Sequence, residues 1–165
     1  MTKRTIESKI KKLKELENII SRLKSDGNKI VTTNGVFDIL HAGHISYLEE
    51  AKKLGDVLVV GINTDKSVKL NKSDKRPIND ENSRLRVVAA LESVDYVFLF
   101  SEKEPSSWIL KLRPDFHVKA GDYKMSQIVE KSAVESNNGK VILAKARKGY
   151  STTNIIKKIL DVYGK

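Results

Sequence analysis

The chain has 165 residues, 39% apolar and 32% charged, and carries a formal net charge of +10. That length suits one domain around a single core, and no segment approaches the roughly 20 apolar residues that span a bilayer. The absence of cysteine excludes disulfides and thiolate metal sites.

The charged opening MTKRTIESKIKKLKELENII lacks the apolar run of a secretory signal, so a cytoplasmic setting is expected. Ile6, Ile10, Leu13, Leu16, Ile20 and Leu23 recur at gaps of three and four, which predicts one amphipathic helix from Thr5 to about Ser25, stopped at Gly27. Its apolar stripe needs a partner surface, on its own domain or across a homodimer. A helical extension over 1–28 and a domain over 29–165 follow. Beyond it lie short β-branched or apolar runs bounded by turn signals: Lys29–Asn34, Asp56–Asn63, Tyr96–Phe100, Phe116–Lys119 and Lys140–Ala144. Helical stretches are expected at Ile45–Leu54, Asp80–Leu91, Pro105–Leu112, Ser126–Asn137 and Thr152–Tyr163, with Asn79 or Asp80 capping the second. Buried strands alternating with helices predict an α/β, Rossmann-like, doubly wound sheet of five parallel strands, with ligands beyond the strands' carboxyl ends.

The first strand runs into Asn34-Gly35-Val36-Phe37-Asp38-Ile39-Leu40-His41-Ala42-Gly43-His44, and a helix follows at once. Gly35 permits an irregular backbone, and Gly43 a close approach. The helix start offers unpaired N–H groups and about half a positive charge, an anion site. Two histidines three apart on that turn share a face. Near a positive helix end they should stay neutral and donate hydrogen bonds to charge developing on a phosphoryl group. A zinc pair is the rival reading, but it needs further ligands, and His117 lies inside a strand. A phosphate monoester nucleophile is already largely ionised at neutral pH, so the site needs positioning and charge neutralisation by cations and Mg²⁺ without a general base.

HAGH resembles the signature of the HIGH-type nucleotidyltransferases. Around it, TNGVFDILHAGHISYLEEAKKLGD is similar to the adenylyltransferases that activate D-glycero-β-D-manno-heptose 1-phosphate for lipopolysaccharide assembly. The likeness continues through GINTDKSVK, RPIN, VDYVFLF, LRPDFHVKAGDY and GYSTTNII. It implies transfer of AMP from ATP, with Mg²⁺, to the sugar phosphate, and small-molecule partners, with neither nucleic acid nor membrane. His41, His44 and Lys72 would be catalytic. Gly35, Val36, Phe37 (through its backbone), Gly43, Gly121, Asp122, Tyr123, Tyr150, Ser151, Thr152 and Thr153 would bind nucleotide. Asp38, Arg84 and Lys119 would bind the acceptor, Arg84 by its phosphate. No protein-bound metal is implied.

Taken alone, several of these residues have plainer roles: Arg84 could pair with Glu81, and Ser151-Thr152-Thr153 could cap a helix. Ser73, Ala120, Arg86 and Val36 depart from the resemblance, standing where glycine, glycine, an acidic residue and cysteine are usual. Lys124-Met125-Ser126 looks like the KMS element of aminoacyl-tRNA synthetases, and Ser126 is read instead as a helix cap. The runner-up function is cytidylyl transfer to glycerol 3-phosphate. Enzymes of that type carry GDDW where this chain has VKAGDY, and an arginine where it has Ala146, with Arg147 displaced by one. From another class, the rival is a basic nucleic-acid-binding module.

Overall fold

The five β-branched and apolar runs become parallel strands β1 (Ile30–Gly35), β2 (Val57–Asn63), β3 (Tyr96–Phe100), β4 (Phe116–Ala120) and β5 (Lys140–Ala144), in the order β3-β2-β1-β4-β5. The computed structural model describes residues 5–120, 124–144 and 149–164. The chain steps outward from β1 to β3 and then returns to lay β4 against the other side of β1. The β1/β4 boundary is therefore the switch point, where a crevice opens at the strands' carboxyl ends.

Eight helices lie among the described residues: α1 (Ile6–Lys9), α2 (Leu13–Ser25), α3 (Ala42–Lys52), α4 (Asp65–Asn71), α5 (Glu81–Ala89), α6 (Ser106–Leu112), α7 (Lys131–Glu135) and α8 (Thr152–Tyr163). The period-two alternation of the strands divides the core. Ile30, Val57, Val59, Phe98 and Phe100 pack with Leu16 and Ile20 of α2, Trp108 and Leu112 of α6, and Val134 of α7. Val31, Leu58, Val60, Ile62 and Val97 pack with Leu48 and Ala51 of α3 and with Leu85 and Val88 of α5.

The N-terminal segment differs from the single helix expected. It breaks after Lys9, and Ile10 forms a parallel bridge with Val97 while Lys11 N–H donates to the Val97 carbonyl at 3.0 Å. Ile6 and Ile10 pack against one core and Leu13, Ile19 and Leu23 against the other. A straight helix cannot present its stripe to both faces of a sheet, so the chain opens where it crosses the exposed edge of β3 and covers that edge.

Two further differences bear on the site. Helix α4 was not anticipated; Thr64 caps it by accepting from Ser67 N–H at 3.3 Å. The expected helix Ser126–Asn137 is a 3₁₀ turn over Met125–Gln127 followed by α7, and Ser126 lies inside that turn, not at a cap. Ile128 and Glu130 between them are buried, a requirement that overrides the local helical pattern.

Candidate active site

The loop after β1 leads directly into α3, whose N-cap is His41. The His41 and His44 rings stack with centroids 3.8 Å apart and planes 23° from parallel. Burial, then the neighbouring His41 charge, pushes His44 down to about 4, and burial lowers His41 as well. Both rings are thus neutral at pH 7, and the Nδ1 atom of each is buried and unpaired among the described residues. A pair of neutral imidazoles at a helix N-terminus can donate to an oxyanion without a standing charge of their own.

Neighbouring residues fix this turn. A Cβ on Gly43 would lie 2.9 Å from Tyr150 Cβ and 3.0 Å from His41 Nδ1, so the glycine admits the tyrosine and the imidazole. Phe37 has φ of 49° and is buried, with its ring packed in the core. Thr152 Oγ1 donates to the Ile39 carbonyl at 3.3 Å, tying the start of α8 to the same loop. Ser151 caps α8 by accepting from Asn154 N–H at 3.1 Å, and Thr153 is exposed.

Beside this loop, at the carboxyl ends of β1, β2 and β4, lies a cavity of about 350 Å³. Gly35 and Val36 line it, as do Asn34, Asn63 and three lysines: Lys72, Lys103 and Lys119. Lys119 Nζ donates to Asn34 Oδ1 at 3.2 Å, bridging β4 to β1 across the switch point. A cavity of this size, with convergent amides and cations, suits a small anionic ligand.

Two residues assigned to the acceptor sit elsewhere. Arg84 is 1% exposed. Its guanidinium donates to the carbonyls of Asn79 (2.9 Å), Val36 (2.6 Å) and Asn63 (2.8 Å) and to Asp65 Oδ1 (2.6 Å). Four of its five N–H donors are thus engaged inside the protein, where it braces the loop from behind, and its carboxylate partner is Asp65 and not Glu81. Asp38 is also buried; its carboxylate accepts from Arg76 Nε at 2.6 Å, Ile78 N–H at 2.9 Å and Asn79 N–H at 2.8 Å. Burial alone would raise its pKa, but the Asn79 and Ile78 amides and Arg76 outweigh that and hold it below the usual range. It anchors the 76–79 segment and does not line the cavity.

Gly121, Asp122 and Tyr123 lie outside the described residues, as do Ala146 and Arg147. Lys103 and Glu130 were missed by the sequence reading. Lys103 follows β3, where the rule that ligands sit beyond strand ends would have found it. Nothing in the sequence singled out Glu130, which stood in an expected helix. No helix is long and apolar enough to cross a membrane among the described residues.

The geometry has known counterparts. The chain is 48% identical to the bifunctional protein HldE of Citrifermentans bemidjiense over 95% of its own length, and 50% identical to that of Geobacter metallireducens over 96%. It spans about a third of those relatives, 32% of each. Among solved structures, the lipopolysaccharide core biosynthesis protein of Thermoplasma volcanium is 38% identical; the match covers 76% of this chain and all of that one, with a TM-score of 0.62. The pantoate-β-alanine ligase of Francisella tularensis shares the fold, with 23% identity, a TM-score of 0.61, and coverage of 92% of this chain and 77% of that one. Residues 32–158 match the family described as cytidylyltransferase-like, and the chain belongs to that family.

Proposed function

We propose that the chain transfers AMP from ATP to D-glycero-β-D-manno-heptose 1-phosphate, forming ADP-heptose and pyrophosphate. The observation that carries this reading is the neutral, stacked pair His41 and His44 at the start of α3, one short loop away from a lysine-lined cavity at the switch point. A phosphate in the cavity could attack the α-phosphorus of ATP, with the pyrophosphate leaving on the opposite side. His41 and His44 donate to the charge that grows on the transferring and leaving groups, and Lys72 neutralises phosphate charge from the cavity wall. The heptose acceptor is supported by the resemblance around HAGH and by the likeness to the Thermoplasma lipopolysaccharide protein.

Mg²⁺ enters this proposal as the counter-ion of ATP. Among the described residues no three His, Asp or Glu side chains group to hold a metal, and the Asp38 carboxylate is already engaged by Arg76 and two amides. The protein groups named here do not fit a resident ion, and no step is routed through one.

The test is pyrophosphate release from four nucleoside triphosphates against a panel of sugar and polyol phosphates. ATP with the heptose 1-phosphate should give the highest kcat/KM. Best turnover of CTP with glycerol 3-phosphate would move the chain to the runner-up reaction. No release at all, with steeply salt-dependent nucleic-acid binding, would favour the binding module.

A further inference from the structure

We propose that Glu130 is a positioning residue for acceptor specificity: it pins the Lys119 ammonium at the cavity as a charge-compensated donor to a sugar hydroxyl, leaving the phosphate to Lys72 and Lys103. This rests on the acceptor reading above.

Lys119 Nζ lies 2.6 Å from Glu130 Oε1 and 3.2 Å from Asn34 Oδ1. The ammonium donates to Asn34 Oδ1 and stands in ion-pair contact with Glu130, and these two partners hold it in place at the cavity. The Lys119 side chain is 17% exposed and lines the cavity, whereas that of Glu130 is 2% exposed, so Glu130 acts through the lysine. Behind the carboxylate, His117 Nε2 stands 3.3 Å from Glu130 Oε1, and His117 Nδ1 is 2.8 Å from Thr32 Oγ1. Burial keeps the fully enclosed His117 neutral. Burial would raise Glu130, but His117 and Lys119 outweigh it and hold the carboxyl at about 2. The cluster therefore holds one positive and one negative charge.

A buried ion pair is often no more stabilising than well-packed apolar residues of the same volume, so stability is a weak reason for Glu130 at this place. A fixed place for the Lys119 ammonium is a stronger one. A compensated ammonium pulls weakly on a dianion but still donates a hydrogen bond, which suits a neutral hydroxyl. Lys72 and Lys103 line the same cavity and have no ion pair among the described residues, which leaves them to phosphate.

The experiment uses the full chain with Glu130→Gln, Lys119→Met and the double variant. It reads KM and kcat for the sugar 1-phosphate and the inhibition constant of inorganic phosphate competing with it. We expect KM to rise about fivefold or more in each single variant, with a much smaller fall in kcat. Phosphate inhibition should stay within about twofold, or tighten in Glu130→Gln as the Lys119 charge is released. The double variant should be no worse than Lys119→Met, because Glu130 acts through that lysine. A parallel loss of KM and phosphate inhibition would place the pair in the phosphate grip, and an unchanged KM would leave it a packing feature; either overturns the inference. Lys119→Met, at the exposed end of the pair, decides the matter alone if Glu130→Gln does not fold. A wild-type protein that turns over no sugar phosphate instead sinks the proposed function.

Discussion

Arg84 and Asp38 stand in segments that look like substrate-binding ones, and their type and order gave no warning that both point inward. What distinguishes them is tertiary: Arg84 meets the carbonyl ends of β1 and β2, and those acceptors are invisible in a one-dimensional pattern. Arg84→Ala should therefore act first on stability, because it strands three carbonyls and a carboxylate around a void. A loss of about 3 kcal/mol or more is expected in urea unfolding. A stable variant with only a raised KM for the acceptor would return Arg84 to the phosphate. The histidines, by contrast, were legible, since the three-residue spacing and the helix start together dictate a shared face. Replacing either by alanine should lower kcat by about 10²–10³ with a smaller effect on ATP affinity. Near-normal turnover in both variants would exclude the assignment. Their titration is a separate check. His44 should titrate near 4 by NMR, and His41 below 6.5. The folded state resists a proton that the unfolded chain accepts below 6.5, so His44 removes stability as pH falls from 6.5 towards 4, and the loss levels off beneath that. A His44 midpoint at or above 6.5 would contradict the buried, neutral pair.

At the scale of elements, all five strands were readable because each is a short β-branched or apolar run between turn signals, and β2 is buried along its whole length. The N-terminal stripe was readable as amphipathic but not as broken. Gaps of three and four continue through Ile10 and Leu13, and periodicity does not register a change of sheet face. The break has a consequence for stability. Leu16 and Ile20 are core residues, and the bridge from Ile10 to Val97 covers the outer edge of β3. Deleting residues 1–26 should lower the unfolding temperature and promote association through the exposed strand edge, because unpaired N–H and C=O groups template pairing. The cavity and the histidine loop draw on other elements, so catalysis should survive in whatever remains folded. A folded truncation of unchanged stability and size, yet inactive, would count against this division. Helix α7 teaches the opposite lesson: a plausible helical window from Ser126 gave way to a turn, because the side chain of Glu130 is needed inside.

At the scale of the whole molecule, we expect base selection to depend on the segments that follow two adjacent strands. Ala120 closes β4 and pairs in register with Ala144, which closes β5, so the strands that precede GDY and the stretch before GYSTT end side by side. Beyond the second stretch, Thr152 at the start of α8 is tied to Ile39 in the loop of His41. By the resemblance, these two segments would read the base of a nucleotide whose phosphates lie at the start of α3. The glycerol-phosphate cytidylyltransferases resembled by this chain carry GDDW in the first segment and, in the second, an arginine five positions before the serine. Here that position is Ala146, and Arg147 is one residue on. On a strand or tight loop a shift of one residue turns a side chain to the opposite side, so Arg147 is expected to be a poor substitute. A site that cannot pair the polar edge of cytosine loses affinity for it, because the groups are desolvated without compensation. We therefore expect kcat/KM for ATP to exceed that for CTP by about tenfold or more, a difference of about 1.4 kcal/mol, with a sugar 1-phosphate as acceptor. Ala146→Arg should narrow that ratio by improving the use of CTP. Equal use of the two nucleotides by the wild type would mean that neither segment reads the base, and would separate nucleotide choice from the resemblance that suggested it.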